Sequence, residues 1–309
     1  MMGSPRLNCP LCASMEAAPF LRKVPDFEYG TSLGVDFLRC GKCGLVFQDP
    51  MPEPRDLAGF YPEGYRNHIP VGKDLWSRLK KLQVERLAET LAGHIPDGGR
   101  VLEVGCGNGQ LLFALKEIKA GAYYGSDASG AAFPDPKDSG IRFKSCDIEE
   151  AFPFELIFDV IVMNNAVEHF SSPLRALQAC RKRLAPSGKI ILITPNSGAL
   201  EFPLFGRHWA GLHAPRHTHV FNRENIRRLG ANAGLTDVQV YPAADPGQWA
   251  LSVQNRLQDC AATRARLTNG MAWYASALTA LFAPVAFLQN RSRGSNAMLC
   301  VLSRFGPLP

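Results

Sequence analysis

The sequence predicts an α/β protein built on a parallel sheet, with a small cysteine-rich module ahead of it, and three observations carry that expectation. Two Cys-x-x-Cys pairs stand near the start. An apolar run over 101–104 opens directly onto a glycine-rich turn and then onto leucines at helical spacing. Three further short apolar runs, over 123–126, 141–146 and 158–163, each end on polar side chains, which is the arrangement of parallel strands that present a ligand site along one sheet edge.

Cys9-Pro10-Leu11-Cys12 and Cys40-Gly41-Lys42-Cys43 place four thiols at knuckle spacing. A redox pair needs one such motif, whereas two can surround a tetrahedral zinc ion in a closed structural site. Phe37-Leu38-Arg39 and Leu45-Val46-Phe47 flank the second knuckle as short strands, so residues 1–60 read as a zinc ribbon. This stretch holds six basic and seven acidic groups, which leaves no electrostatic footprint for phosphate and speaks against nucleic acid.

The prolines at 50, 52 and 54 mark a stiff boundary, and residues 61–98 read as a linker with a connecting helix. Leu75, Leu79, Leu82, Leu87 and Leu91 are expected to form the face of that helix that packs on the domain at 99–309. Val101-Leu102-Glu103-Val104 is the first strand, and Gly105-Cys106-Gly107-Asn108-Gly109 lets a ligand approach backbone and the next helix N-terminus without a Cβ in the way. The second strand ends in Asp127, placed to accept both hydroxyls of a ribose. The third, Ile141 to Cys146, ends in Asp147, and the fourth ends at Asn164-Asn165.

The pattern Glu103-x-Gly105-x-Gly107-x-Gly109, continued by Asp127, Asp147 and Asn164-Asn165-Ala166-Val167-Glu168-His169, resembles the class I S-adenosylmethionine-dependent methyltransferases over residues 98–240. The resemblance implies a doubly wound, seven-stranded Rossmann-like sheet whose last strand is antiparallel. It implies S-adenosylmethionine as cofactor, with Glu103, Gly105, Gly107 and Gly109 on its methionine part, Asp127 on the ribose, Asp147 and Ile148 on the adenine, and Asn164 on the same edge. Trp209, Pro215-Arg216-His217 and Phe221 resemble a subgroup that carries a double-knuckle zinc module and methylates small molecules or sugar polymers. One departure stands out: Gly130, Pro134 and Pro136 occupy the place of the usual second helix.

Methyl transfer from a sulfonium is an in-line displacement, and a hydroxyl acceptor also needs a base, most often histidine. His208, His213, His217 and His219 fall in the loop after the strand at 190–193, while Glu168 and His169 follow the fourth strand. His169 and then His217 are the expected bases, with Glu168 beside them. A metal set of His213, His217, His219 and Glu168 would require those four to converge in space. The expected acceptor is a small molecule, a sugar or a lipid-linked intermediate. The rival readings are an RNA methyltransferase, which the neutral N-terminal half opposes, and a cofactor-fold scaffold without turnover, which an intact Glu103 and Asp127 oppose.

With 20% charged and 46% hydrophobic residues, wholesale disorder and a polytopic membrane protein are excluded. Met1–Pro10 contains no apolar core of a secretory leader, so a reducing, cytoplasmic setting is expected. Of the net charge of +6, most sits after residue 255, where six basic groups face one acidic group, Asp259. The uncharged run 267–290, flanked by Arg264, Arg266, Arg291 and Arg293, suggests either a helical pair on the domain or, over 267–293, peripheral contact with the inner membrane surface. Ala297 to Leu302 reads as the last strand.

Overall fold

Val101, Leu102, Val160, Ile161, Ile190 and Ile191 are all fully buried. Consecutive buried residues in one strand require cover on both faces, the condition of a parallel sheet between helices. The computed structural model describes residues 8–63, 65–66, 72, 75–128, 133–134 and 140–304. Its strands are β1 Ala17–Val24, β2 Val35–Cys40, β3 Val46–Asp49, β4 Arg100–Val104, β5 Ala122–Asp127, β6 Arg142–Ser145, β7 Phe158–Asn164, β8 Leu184–Pro195, β9 His219–Val220, β10 Asp237–Pro242, β11 Leu267–Thr268, β12 Met271–Ala272 and β13 Ala297–Ser303. The central sheet has seven strands in the order β10-β13-β8-β7-β4-β5-β6. Only β13 runs antiparallel to its neighbours, so the sheet is the one implied by the resemblance.

Alternation along each strand sends neighbouring residues to opposite cores. Val101, Val160 and Ile191 pack with Ala88, Leu91, Leu111, Leu112 and Leu115 from the helices Leu75–Ala92 and Gln110–Ile118. Leu102, Ile161 and Leu192 pack with Ala176, Leu177, Ile226 and Leu229 from the helices Pro173–Lys182 and Arg223–Asn232. Asn222 starts the latter helix with a capping box shared with Asn225.

The connecting helix forms, but its buried face differs from the leucine pattern. Ala88 and Leu91 are fully buried, whereas Leu82 is 53% exposed. Leu82 lies nine residues before Leu91, and at about 100° per residue that places it on the opposite side of the helix.

The N-terminal module is continuous with the second core rather than tethered beside it. Leu11, Leu45 and Phe47 are buried in the same cluster as Leu102 and Ile161. Such side chains contribute about 1.5–3 kcal/mol each when fully buried. The module's sheet has the order β1-β2-β3-β9, so its fourth strand comes from the histidine loop. Asn225 and Asn232 donate to the Cys43 and Leu11 carbonyls, and Gln48 donates to the Pro215 and His217 carbonyls at 2.5 and 2.8 Å.

The tail forms a short hairpin, β11–β12, and one helix, Ala275–Gln289, which pairs with the upstream helix Pro246–Gln258. The helical pair is thus made with a partner outside the uncharged run, because the glycine turn at Gly270 closes the hairpin within it. No helix among the described residues is long and apolar enough to cross a membrane. Of the proline-rich departure after Asp127, Gly130 and Pro136 lie outside the described residues.

Candidate active site

The cofactor edge is built where β4, β5 and β7 end side by side. Gly105, Gly107 and Gly109 all adopt positive φ, and a Cβ on Gly105 would stand 2.8 Å from the Ala166 methyl. The turn is held by Ser126, whose carbonyl accepts from the Gly105 and Cys106 amides, and by Asp127, whose Oδ2 accepts from the Gly107 amide at 2.9 Å. Glu103 is 3% exposed, and its Oε2 has no hydrogen-bond partner among the described residues. Burial, with the nearby Asp127 charge adding, pushes its carboxyl well above the ordinary range.

A buried carboxylate oxygen without a donor beside a glycine cradle is a place where a cationic ligand is electrostatically favoured. The ammonium of a bound methionine moiety supplies that charge, so these residues fit S-adenosylmethionine. Further along the edge, Asp147 accepts the Glu149 amide on Oδ1, and Ile148 is buried in the core beneath it. Asn164 accepts from the Asn165 side chain at 3.2 Å.

On the other side of this edge, β7 runs into a 3-10 turn over Val167–His169. His169 Nδ1 lies 2.8 Å from the Tyr61 hydroxyl and 3.1 Å from the Arg216 carbonyl. A carbonyl only accepts, so in the tautomer that bonds Arg216 the proton is on Nδ1 and the lone pair on Nε2. His217 Nδ1 donates to the Gly211 carbonyl at 2.9 Å, which fixes the same tautomer. Its Nε2 stands 3.8 Å from Glu168 Oε1. The His169 and His217 rings meet edge to face at 4.6 Å.

Burial dominates the proton affinities here. It lowers His169 to about 3, with the Arg216 charge adding, and lowers His217 as well. Glu168 is fully buried, and burial pushes its carboxyl up to about 8 against the opposing effect of its own backbone amide and the Thr194 hydroxyl. Glu168, rather than either histidine expected as base, is therefore the group of this cluster poised near neutrality.

His213 is not available as a base. Its Nδ1 pairs with Glu28 at 2.9 Å and its Nε2 accepts from Arg216 Nε at 2.9 Å. Arg216 is itself fully buried, forked onto both oxygens of Asp26 at 2.8 and 3.0 Å, bonded to the Phe60 carbonyl and lying over the Tyr29 ring. Glu28 also pairs with Arg66 at 2.5 Å. Burial would raise the Asp26 and Glu28 carboxyls, but Arg216 holds Asp26 low and Arg66 with His213 holds Glu28 low. His219 stacks on Phe221 and faces Thr218, away from this group. The four-member metal set thus does not converge; among the described residues the histidines and acids close enough to share an ion here are Glu168, His169 and His217, with ligand atoms within 4.8 Å.

Asp26, Glu28, Tyr29, Tyr61, Tyr65 and Arg66 thus surround the His169, His213 and Arg216 side chains, and none was singled out from the sequence. Asp26-x-Glu28 reads in the sequence as an ordinary pair of acids close to Arg22 and Lys23, so no local signal marks them.

At the far end of the module, Cys9 and Cys43 Sγ atoms lie 3.6 Å apart, as do those of Cys12 and Cys40. All four are free thiols with sulfurs within 4.8 Å of one another. A tetrahedron with bonds of about 2.3 Å has edges of about 3.8 Å, so this donor set fits zinc.

Residues 75–240 match the family described as "Methyltransferase domain". The ubiquinone biosynthesis O-methyltransferase of Cereibacter sphaeroides (strain ATCC 17029) is 30% identical over 173 residues, covering 52% of this chain and 70% of the relative. Its namesake in Pseudomonas fluorescens (strain Pf-5) is 32% identical over 152 residues, covering 45% and 65%. A solved chain from the complex of the Haloferax volcanii Trm112 methyltransferase activator with a methyltransferase shares the fold, with a TM-score of 0.50 and 18% identity over 75% of this chain and 94% of that one. The chain belongs to this methyltransferase family and is an S-adenosylmethionine-dependent methyltransferase.

Proposed function

We propose that this methyltransferase acts on a hydroxyl oxygen of a small organic acceptor, a sugar or lipid-linked molecule included, with Glu168, His169 and His217 handling the acceptor proton. When bound, S-adenosylmethionine supplies the electrophilic methyl group. Glu103 takes its ammonium, the turn Gly105, Gly107 and Gly109 admits its methionine part, Asp127 takes the ribose, and Asp147, Ile148 and Asn164 border the adenine side.

His169 Nε2 would take the hydroxyl proton as the oxygen–carbon bond forms and the methyl–sulfur bond breaks, its electron pair leaving with the neutral thioether. Burial and Arg216 disfavour an imidazolium at this place, and the Glu168 carboxylate beside His217 offsets that cost once it is ionised. The Asp26–Arg216–His213–Glu28 chain holds the loop that presents His217, so the N-terminal module acts as a wall of the acceptor site. A structural zinc on Cys9, Cys12, Cys40 and Cys43 would fix that wall, and a reducing cytoplasm keeps those thiols able to bind it.

The observation that carries the reading is the convergence of two lone-pair nitrogens and a near-neutral carboxyl beside the cofactor edge, the equipment for deprotonating an oxygen. The names of the relatives, O-methyltransferases, support the same acceptor atom. Neither the RNA-directed nor the scaffold alternative gains support from them. The test is incubation with methyl-labelled S-adenosylmethionine and a panel of phenols, sugars and polyprenyl-linked alcohols. Label recovered in an ether supports the reading, and label recovered solely on nitrogen or carbon refutes it.

A further inference from the structure

The helix Ala275–Gln289 is apolar on both sides, with Ala275, Ala286 and Phe282, stacked on Trp249, turned toward the protein. Its inward side also carries Thr279 and Gln289, both buried, with Gln289 accepting from Trp249 and donating to Glu201 at 2.9 and 2.8 Å. Its outward side consists of Ala277, Ala280, Leu281, Pro284, Phe287 and Leu288, all exposed and all apolar, at the i, i+3, i+4, i+7 spacing of one face. Leu281, Phe287 and Leu288 are 67%, 60% and 65% exposed, and Trp273, just before the helix, is 86% exposed. The short helix Glu201–Phe205, tied to Gln289, adds exposed Leu200 and Leu204.

The charges around this face have one sign. Arg264 and Arg266 precede it and Arg291 and Arg293 follow it, all four exposed. Arg291 lays its guanidinium over the Phe287 ring at 4.1 Å, stem along the apolar face and charge at its rim. Asp259, the one acidic residue after residue 255, is engaged with His208 at 2.8 Å.

We propose that this face is a docking surface for an anionic lipid membrane, lying in the interface plane with Trp273, Leu281, Phe287 and Leu288 among the acyl chains and the four arginines on the headgroups. The helix has 15 residues, about 22 Å at 1.5 Å each, which is short of the ~30 Å hydrocarbon thickness, so it lies on the bilayer and does not cross it. A second copy of this chain would bring the same four arginines to the rim of a shared apolar contact, where like charges repel; an anionic surface neutralises them. The helix Pro246–Gln258 beneath this face also holds the histidine loop, through Ser252 to the Ala210 amide and Asn255 to the His208 carbonyl. The docking face therefore stands one helix layer from the acceptor site. The surface argument is independent of the acceptor atom.

The test uses the purified full chain with vesicles of phosphatidylcholine alone and of equal parts phosphatidylcholine and phosphatidylglycerol, separated by sedimentation. The expected result is co-sedimentation with the anionic vesicles, release on raising salt, little with the neutral ones, and at least a ~10-fold weaker partition for Leu281→Glu with Phe287→Glu. Both positions are exposed, and an unchanged unfolding midpoint shows that the variant is folded. Absence of vesicle binding, or binding that the double substitution leaves unchanged, overturns the proposal. So does a dimer in sedimentation velocity that Leu281→Glu dissociates, which would assign the face to a second copy.

Discussion

Replacing Glu168 by Gln removes a charge and keeps the shape, and its effect should appear in stability and turnover together. The native carboxyl holds its proton to about pH 8, against an ordinary 4.5 in the unfolded chain, because burial disfavours the ionised form. The folded state therefore binds more protons than the unfolded state between those values, and stability falls as pH rises through them. At about 1.4 kcal/mol per pH unit the whole range corresponds to about 5 kcal/mol, of which about 2 falls between about pH 6.5 and 9. His169 and His217, whose pKa values are lowered, contribute with the opposite sign: their stability is present above about pH 6.5 and is lost as pH falls below it. Above pH 6.5 the buried Glu103 carboxyl, also pushed well above its ordinary range, contributes with the same sign as Glu168, so Glu168 is isolated by the difference between the wild type and Glu168→Gln. Urea unfolding should show the wild type declining more steeply across this interval than Glu168→Gln, by about 2 kcal/mol. Turnover should show the mirror image, rising in the wild type as Glu168 ionises and losing both its rise and about 10-fold or more of its plateau in the variant. Parallel unfolding profiles for the two proteins would refute the burial argument, and parallel rate profiles would refute the role of the carboxylate.

Cys40→Ser should lower zinc from about one ion per chain, read by metal analysis of protein prepared without chelators, and loosen the module, since metal binding is folding free energy in such sites. Asp127→Ala should weaken S-adenosylmethionine binding by about 10- to 100-fold in calorimetry, and Asp127→Asn by less, because a charge-assisted hydrogen bond contributes about 1.5–3 kcal/mol. Asp26→Ala leaves the Arg216 guanidinium buried without its carboxylate and should cost about 3–5 kcal/mol in chemical unfolding. Adding Arg216→Met to that variant should restore part of the loss, because the unpaired charge is removed with it.

Six strands of the central sheet were legible because each is a short apolar run with a polar end, and period and punctuation are local properties; the edge strand β10, half-buried and interrupted by polar residues, was not. The four cysteines and the glycine turn were legible for the same reason. Leu82 shows the limit of the method: leucines near helical spacing outline a face, but the phase is set by Ala88 and Leu91, which the sheet buries. The acceptor side was the least legible part. Asp26 and Arg216 meet across 190 positions, and Tyr61 reaches His169 across 108. Nothing in either neighbourhood announces such a partner, and only the fold of the module back onto the histidine loop through β9 brings them together. The proton affinities are illegible for a related reason, since burial lowers the histidines and raises Glu168, and burial of a loop residue is a tertiary outcome.

The central claim is that methyl transfer takes place where the parallel strands end against the histidine loop, and single-turnover transfer by His169→Ala with its cofactor affinity measured alongside tests it most directly. The expected result is a fall of about 10²- to 10⁴-fold in the transfer rate with S-adenosylmethionine affinity essentially unchanged, the signature of a group that acts in the transition state. A transfer rate equal to that of the wild type would contradict the account, as would a loss explained entirely by weaker cofactor binding.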